Sequence, residues 1–232
     1  MTDAIADVIR GGVPSGLDFV DLDELKKHTG VADPDEVPKF ALNEMLANAL
    51  DKEDADEIRL DVSLVGGAVR VVVSDNGSRK LSRSDLDLLL RFGEKPSSKR
   101  GLRIVSRGYL GNALQCVFGF TYALAEESNL PPRPIIVMSG PMTFSVKLEV
   151  DRVGGVVKAT VREEEQVSPN GSTAISVQFP WDGPTDGAEL DDYAKELEDL
   201  VAATSMVNPG RRISYSIFGK SGVFGDRRSE KK

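Results

Sequence analysis

The chain has 232 residues, a formal net charge of −8 and 40% hydrophobic residues. Its one cysteine, Cys116, excludes an intrachain disulfide framework, and no apolar run approaches the roughly 20 residues that a membrane-spanning helix needs. The acidic N-terminus lacks the basic-then-apolar order of a signal peptide, and the net charge gives no general attraction to nucleic acid. We therefore expect a soluble cytoplasmic protein with one large domain or two small ones.

The first half of the chain predicts helices around a β-hairpin. Leu42, Met45 and Ala49 fall at helical spacing, which predicts an amphipathic helix from Pro38 to about Asp51. The other predicted elements, in chain order, are a flexible arm at 1–16, a short helix at 22–28, hairpin strands at 58–64 and 69–74, a short helix at 84–92, a long basic loop at 93–108 and a buried helix at 111–120.

The second half is rich in strands. Apolar and alternating runs predict strands at 135–138, 143–150, 156–161 and 173–179, then a surface helix at 189–203 and a last strand at 213–218. We place the domain at 17–220 and a polar C-terminal tail at 221–232. The order of the elements predicts an α+β fold, with a layer of helices on one mixed or antiparallel sheet.

The helix at 38–51 carries a second, polar face. Glu44, Asn48 and Asp51 stand at i, i+4 and i+7, on the side opposite its apolar residues. A carboxylate and an amide one turn apart can hold a divalent metal together with a water, and a carboxylate beside that water can act as a general base. The alternative interpretation is the ordinary solvated face of an amphipathic helix.

Two strand ends carry polar residues that could face one flat ligand. Asp75 closes the second hairpin strand, and Gly77 has no Cβ and therefore permits close backbone approach. An exocyclic amine is a natural donor to the Asp75 carboxylate. Thr173 opens a later strand, and its hydroxyl could reach the same ligand directly or through a water. The alternatives are an Asx turn and a plain hairpin turn, respectively.

A glycine-rich turn, Ser106-Arg107-Gly108-Tyr109-Leu110-Gly111-Asn112, leads into the predicted buried helix. Glycines before a helix N-terminus expose backbone N–H groups and the positive end of the helix dipole, which favours an anion site. The loop before this turn could close over phosphates with its cations, Lys95, Lys99, Arg100, Arg103 and Arg107. The turn lacks the ending of a P-loop and does not follow a first βα turn, so neither a P-loop nor a Rossmann site is supported.

In their order and spacing these motifs resemble those of the Bergerat-fold (GHKL) ATPases, which include gyrase-type topoisomerases, ninety-kilodalton heat-shock chaperones, histidine kinases and MutL. The likeness is sharper to the ATPase domain of the topoisomerase VI B subunit and its relatives. Residues 38–51 resemble the first motif of that subgroup. Leu90-Arg91-Phe92-Gly93 followed by Ser97-Ser98-Lys99 resembles its lid, and Val207-Asn208-Pro209-Gly210 resembles its Asn-Pro signature. The resemblance covers roughly residues 17–218 and implies a two-layer sandwich.

The resemblance implies that the domain binds ATP with Mg²⁺ and hydrolyses it. Glu44 would be the general base that polarises the attacking water, and Asn48 would ligate Mg²⁺ through its side-chain oxygen. Positioning and charge stabilisation carry most of the catalysis in such phosphoryl transfer. The implied phosphate contacts belong to the glycine-rich turn and the lid, and comprise Lys99, Gly108, Tyr109, Leu110, Gly111, Asn112 and Ala113.

The same resemblance assigns the base-binding end of the pocket. Asp75 would accept a hydrogen bond from the adenine amino group, and Gly77 would let the base approach the backbone. Thr173 would join Asp75 at the adenine through a water. Asp51 would support the pocket near the adenine or the ribose.

The chain departs from the family pattern at two places beside the pocket. Lys52 stands where the family usually has Ala, and Ser78-Arg79-Lys80 replaces a turn that usually contains Gly. Topoisomerases of this kind also take a γ-phosphate Lys from a following transducer domain, for which the residues after 220 are too few. We therefore expect slow hydrolysis, or a cation supplied by a partner or by the lid residues Lys95 or Lys99.

Several functions follow from this resemblance. In the first, ATP drives homodimerisation in a DNA-acting complex. A protein partner processes the DNA, and this domain does not itself bind the duplex. No membrane is involved. In the second, ATP gates a binding or chaperone-like module and its hydrolysis is incidental. A histidine-kinase-like domain is a third possibility, although the lone His28 lies in a polar segment. The fourth is a degenerate fold that no longer binds nucleotide.

Overall fold

The structure is a computed structural model that describes residues 15–92, 112–165 and 173–225. Within these ranges the helices are α1 (Leu22–Thr29), α2 (Val37–Leu50), α3 (Arg83–Leu89), α4 (Ala113–Glu127) and α5 (Gly187–Met206). The strands are β1 (Glu57–Leu64), β2 (Ala68–Asp75), β3 (Ile135–Ser139), β4 (Met142–Asp151), β5 (Val156–Glu165), β6 (Thr173–Pro180), β7 (Arg212–Ile217) and β8 (Lys220–Phe224). Short 3₁₀ turns at Gly16–Phe19 and Pro34–Glu36 precede α1 and α2.

The described strands form one sheet in the order β5-β4-β3-β6-β2-β1-β7-β8. β1 and β7 run parallel, and the other neighbouring pairs are antiparallel. The hairpin predicted around Gly66-Gly67 is β1–β2. The expected α+β class with a mixed sheet is therefore confirmed at this level.

Buried and exposed side chains alternate along the strands, and the buried ones lie on the sheet face that packs against the helices. In β1, Ile58, Leu60 and Val62 are buried, whereas Arg59 between them is exposed. α2 packs on β2, α4 on β6 and α5 on β7, so the helices and this face enclose a common core. Pro38 lies in the first turn of α2, where its missing N–H costs no helical hydrogen bond.

The observed helix boundaries differ from the predicted ones, and the differences at α3 and α4 have clear local reasons. α3 ends at Leu89, three residues before the predicted end, and the Ser82 capping box fixes its start. α4 begins at Ala113 and continues to Glu127, well beyond the predicted end at residue 120. Its C-terminal half remains apolar and buried through Leu124 and Ala125, which extends the helix along the core.

The strand β8 was not predicted. It follows a tight turn in which Phe218 and Gly219 both have positive φ, at 46° and 85°, as a two-residue hairpin turn requires. β8 then pairs antiparallel with β7, so the predicted domain boundary at residue 220 falls inside the sheet. Gly16 of the predicted arm belongs to the first 3₁₀ turn, and residues 1–14 lie outside the described residues.

Candidate functional site

A cavity of about 250 Å³ lies between α2 and the edge where β2 ends and β6 begins. It joins residues that are far apart in the sequence, because antiparallel pairing of β2 with β6 sets those two ends side by side. The lining is mainly apolar and also presents polar groups, and it is formed by Met45, Asn48, Ala49, Asp51, Lys52, Val73, Asp75, Arg79, Lys80, Leu81, Leu114, Thr173 and Ile175. This composition suits a ligand with a flat apolar body and a few polar groups.

Asp75 and Thr173 are direct register partners in the β2–β6 pair. Both are buried, with exposed fractions of 6% for Asp75 and 3% for Thr173. The hydroxyl of Thr173 has no hydrogen-bond partner among the described residues, although it lines the cavity. Since leaving a buried hydroxyl unpaired costs about 1–3 kcal/mol, this atom is poised for a group that enters the cavity.

Gly77 turns the chain at the end of β2. Its backbone N–H donates to the Asp75 carboxylate at 3.0 Å, which is the Asx-turn contact that the sequence analysis kept as an alternative. A Cβ at Gly77 would lie 3.0 Å from the Cδ atom of Lys52 and 3.1 Å from Asp75 Oδ1. The absence of a side chain here thus makes room for Lys52.

Lys52 forms an ion pair with Asp75 that the sequence analysis did not predict. Its Nζ atom lies 2.9 Å from Asp75 Oδ1 and 2.8 Å from Asp75 Oδ2. The two side chains are only 18% and 6% exposed, so solvent screens the pair weakly. The carboxylate expected to accept an adenine amine is therefore already engaged by an ammonium group.

The polar face of α2 is divided between two cavities. Asn48 and Asp51 are exposed side chains that border the cavity described above. The Asn48 amide nitrogen donates to the Glu44 carbonyl at 2.7 Å, so the available end of this amide is its oxygen. Glu44, which is half-buried, instead lines a neighbouring cavity.

This second cavity measures about 300 Å³ and is lined by Phe19, His28, Thr29, Phe40, Glu44, Asn112, Ala113 and Cys116. The Asn43 amide donates to Glu44 Oε1 at 3.3 Å and helps to hold the carboxylate. Asn112, which precedes α4, has a buried Oδ1 atom without a hydrogen-bond partner in the described ranges. Both cavities contain residues of α2 and of the start of α4, so they follow one cleft between these helices.

Cys116 lies in the Glu44 cavity and is expected to be inert. Burial, and after it the charge of Glu44, raises the pKa of the Cys116 thiol from 9.0 to about 12. Because the thiolate is the nucleophile, iodoacetamide at pH 8 should label folded protein at least ~100-fold more slowly than urea-unfolded protein. The folded-state pKa is raised, so this thiol's contribution to stability is fully present below pH 9.0 and is lost as the pH rises through about 12. Equal labelling rates would contradict this expectation.

The turn after β2 covers the first cavity and carries residues that the sequence analysis did not assign to the site. Ser139, buried at the end of β3, accepts a hydrogen bond from the backbone N–H of Leu81 at 2.7 Å. Lys80 Nζ donates to the Gly77 carbonyl at 2.7 Å. The sequence signal for these residues is the departure of Ser78-Arg79-Lys80 from the family pattern.

Several residues assigned by resemblance lie outside the described ranges. They are Lys99, Gly108, Tyr109, Leu110 and Gly111, together with the rest of the basic loop. Asn112 and Ala113 are described and lie at the start of α4. Among the described residues, no group of three or more His, Cys, Asp or Glu side chains could hold a metal ion.

Comparisons with protein-family models and with curated protein sequences found no match to this chain. In the described ranges, no helix is both long and apolar enough to cross a membrane. The geometry of the two cavities therefore carries the functional argument.

Proposed function

We propose that this protein is an ATP-binding domain of the Bergerat (GHKL) type, similar to the ATPase domain of the topoisomerase VI B subunit, and that it hydrolyses ATP with Mg²⁺. Nucleotide binding would drive homodimerisation in service of a DNA-processing protein partner. The observation that carries the proposal is the buried Asp75–Thr173 pair at the end of an apolar cavity, where the Thr173 hydroxyl has no hydrogen-bond partner within the described residues.

The two cavities suit the two ends of a nucleoside triphosphate. The apolar slot over Val73, Leu114 and Ile175 can receive a purine, with Asp75 and Thr173 at its edge. The Glu44 cavity borders the start of α4, where backbone N–H groups at a helix N-terminus favour phosphate. The α2–α4 cleft would then run from base to phosphates.

Glu44 and Asn48 supply the catalytic part of the proposal. Asn48 offers an amide oxygen, the type of ligand that Mg²⁺ prefers, and phosphate oxygens and waters would supply the rest of the coordination. The bound ion would neutralise charge on the phosphates. Glu44, held by Asn43 and half-buried, would accept the proton of the attacking water.

A Thr173→Val variant tests the base-binding end. Valine has nearly the same shape and removes a hydroxyl that has no protein partner in the described ranges, so the free protein should be as stable as wild type or slightly more stable. Affinity for a non-hydrolysable ATP analogue with Mg²⁺ should fall about 5- to 10-fold, as the loss of one hydrogen bond predicts. Isothermal titration calorimetry and thermal melting measure the two effects.

Thr121→Val is the matched control for that experiment. Thr121 is also buried, but its hydroxyl donates to the Phe118 carbonyl at 2.7 Å inside α4. The control should keep nucleotide affinity and lose a little stability, the reverse of Thr173→Val. Wild-type protein that fails to bind the analogue would overturn the proposed function and favour a degenerate fold.

A further inference from the structure

We propose that Lys52 is a specificity-determining residue of the base site, which competes with the exocyclic amine of adenine for the Asp75 carboxylate. This inference rests on the proposed nucleotide-binding function and deepens it. The competition would weaken ATP binding and remove the preference for a 6-amino over a 6-oxo purine.

The ion pair occupies both oxygens of the acceptor. Lys52 Nζ is 2.9 Å and 2.8 Å from the two Asp75 oxygens, while Gly77 N–H also donates to Oδ1. For Asp75 to recognise an adenine amine, the amine must therefore either displace Lys52 or donate a weaker hydrogen bond to a carboxylate that still binds Lys52. In a site this buried, a charge-assisted bond is stronger than a neutral one, so the ammonium is a demanding competitor.

Lys52 is held at this position by its backbone as well as by its charge. Its carbonyl accepts hydrogen bonds from Ala55 N–H at 3.2 Å and from Arg211 Nη2 at 3.1 Å. Its aliphatic chain fills the space that a Cβ at Gly77 would take. Arg211 follows the Asn208-Pro209-Gly210 turn, so that turn supports the loop that carries Lys52.

The ion pair changes what the site offers to a base. An ammonium group has three N–H donors, and the two bonds to Asp75 leave one for an acceptor. The 6-oxo group of hypoxanthine is such an acceptor, whereas the 6-amino group of adenine is a donor. The site with Lys52 in place therefore receives an oxo purine at least as readily as an amino purine.

A neighbouring carboxylate can receive Lys52 if a base displaces it. Asp54 accepts the Ser78 N–H at 2.7 Å, and a Cβ at Gly77 would lie 3.2 Å from Asp54 Oδ1 and 3.0 Å from Lys52 Cδ. Hydrogen bonds from Ser78, and to a smaller degree the charge of Lys52, lower the pKa of Asp54. Asp54 is thus ionised at neutral pH and lies in the neighbourhood of the Lys52 side chain.

The test compares adenosine and inosine 5′-triphosphates, which present an amino and an oxo group respectively at the purine 6-position, by titration calorimetry with Mg²⁺. Wild type should bind the two within about threefold of each other. Lys52→Met keeps the aliphatic packing and removes the ammonium. This variant should bind ATP about tenfold more tightly than it binds ITP. Lys52→Gln also removes the charge but retains a neutral donor to Asp75, so it tests the same point if the loss of every Lys52 hydrogen bond to Asp75 impairs folding in Lys52→Met.

Lys39→Met is the control, because it removes a cation that pairs with Glu196 at 2.8 Å and lines neither cavity. It should leave the ATP-to-ITP affinity ratio unchanged. If nucleotide binds but neither Lys52 variant alters the ATP-to-ITP affinity ratio, the inference is wrong and the proposed function stands. No binding of either triphosphate to any variant would overturn both.

Discussion

Glu44→Gln is expected to slow ATP hydrolysis by at least ~100-fold and to leave nucleotide affinity within about threefold of wild type. A positioned general base contributes about 10²–10⁴-fold to such reactions, and an amide of the same shape cannot take the proton. Affinity should persist because the proposed role of Glu44 is to take the proton of the attacking water, and glutamine keeps the shape of the side chain. Phosphate release under saturating ATP and titration with a non-hydrolysable analogue measure the two quantities.

Glu127→Gln is the control for the loss of one carboxylate. Glu127 is exposed at the other end of α4, so its replacement should change neither rate nor affinity. Wild-type turnover in Glu44→Gln would show that Glu44 is not the base. Lost turnover with retained biological function would favour the second candidate, a module gated by ATP binding alone.

Gly119→Ala is expected to destabilise the fold by about 3 kcal/mol or more, at the upper end of overpacking effects. A Cβ at this position of α4 would lie 1.6 Å from the Phe19 carbonyl oxygen and 2.8 Å from the Phe19 carbonyl carbon. Because both are backbone atoms, the 3₁₀ turn that covers α4 must move away. The loss outweighs the roughly 1 kcal/mol that alanine would otherwise gain over glycine inside a helix.

Gly16→Ala provides the matched control, since Gly16 lies in the same 3₁₀ turn. Its Cβ would meet the Phe92 carbonyl oxygen at 3.3 Å, a contact that a small shift relieves. Urea unfolding should therefore place Gly16→Ala within about 1 kcal/mol of wild type. A Gly119→Ala variant of wild-type stability would mean that the turn does not pack on α4 as described.

The elements with strong local signals could be predicted from the sequence. The spacing of Leu42, Met45 and Ala49 defined α2, and the glycine pair between two Val-rich runs defined the β1–β2 hairpin. β8 had no such signal, because it is a five-residue edge strand with Gly222 at its centre. A Cβ at Gly222 would lie 2.4 Å from the hydroxyl of Tyr215 on β7, so the glycine avoids a contact with the neighbouring strand.

The candidate site could be predicted in part. The strand-end positions of Asp75 and Thr173 predict that both face one ligand, and the register of β2 with β6 places them side by side. Placing Glu44 with Asn48 on one helical face did not reveal that the two side chains border different cavities. That division depends on what packs beside each turn of α2, which helical spacing does not contain.

The local preferences of each segment are enough to predict the helix and strand types, the one-sided apolar pattern, and the acidic and amide groups at the ends of regular elements. Which of these groups meet depends on how the segments pack together. The pairing of Lys52 with Asp75 joins residues 23 positions apart, and it forms because β2 returns beside the loop that follows α2. Burial then makes that pair strong enough to change what the cavity can bind.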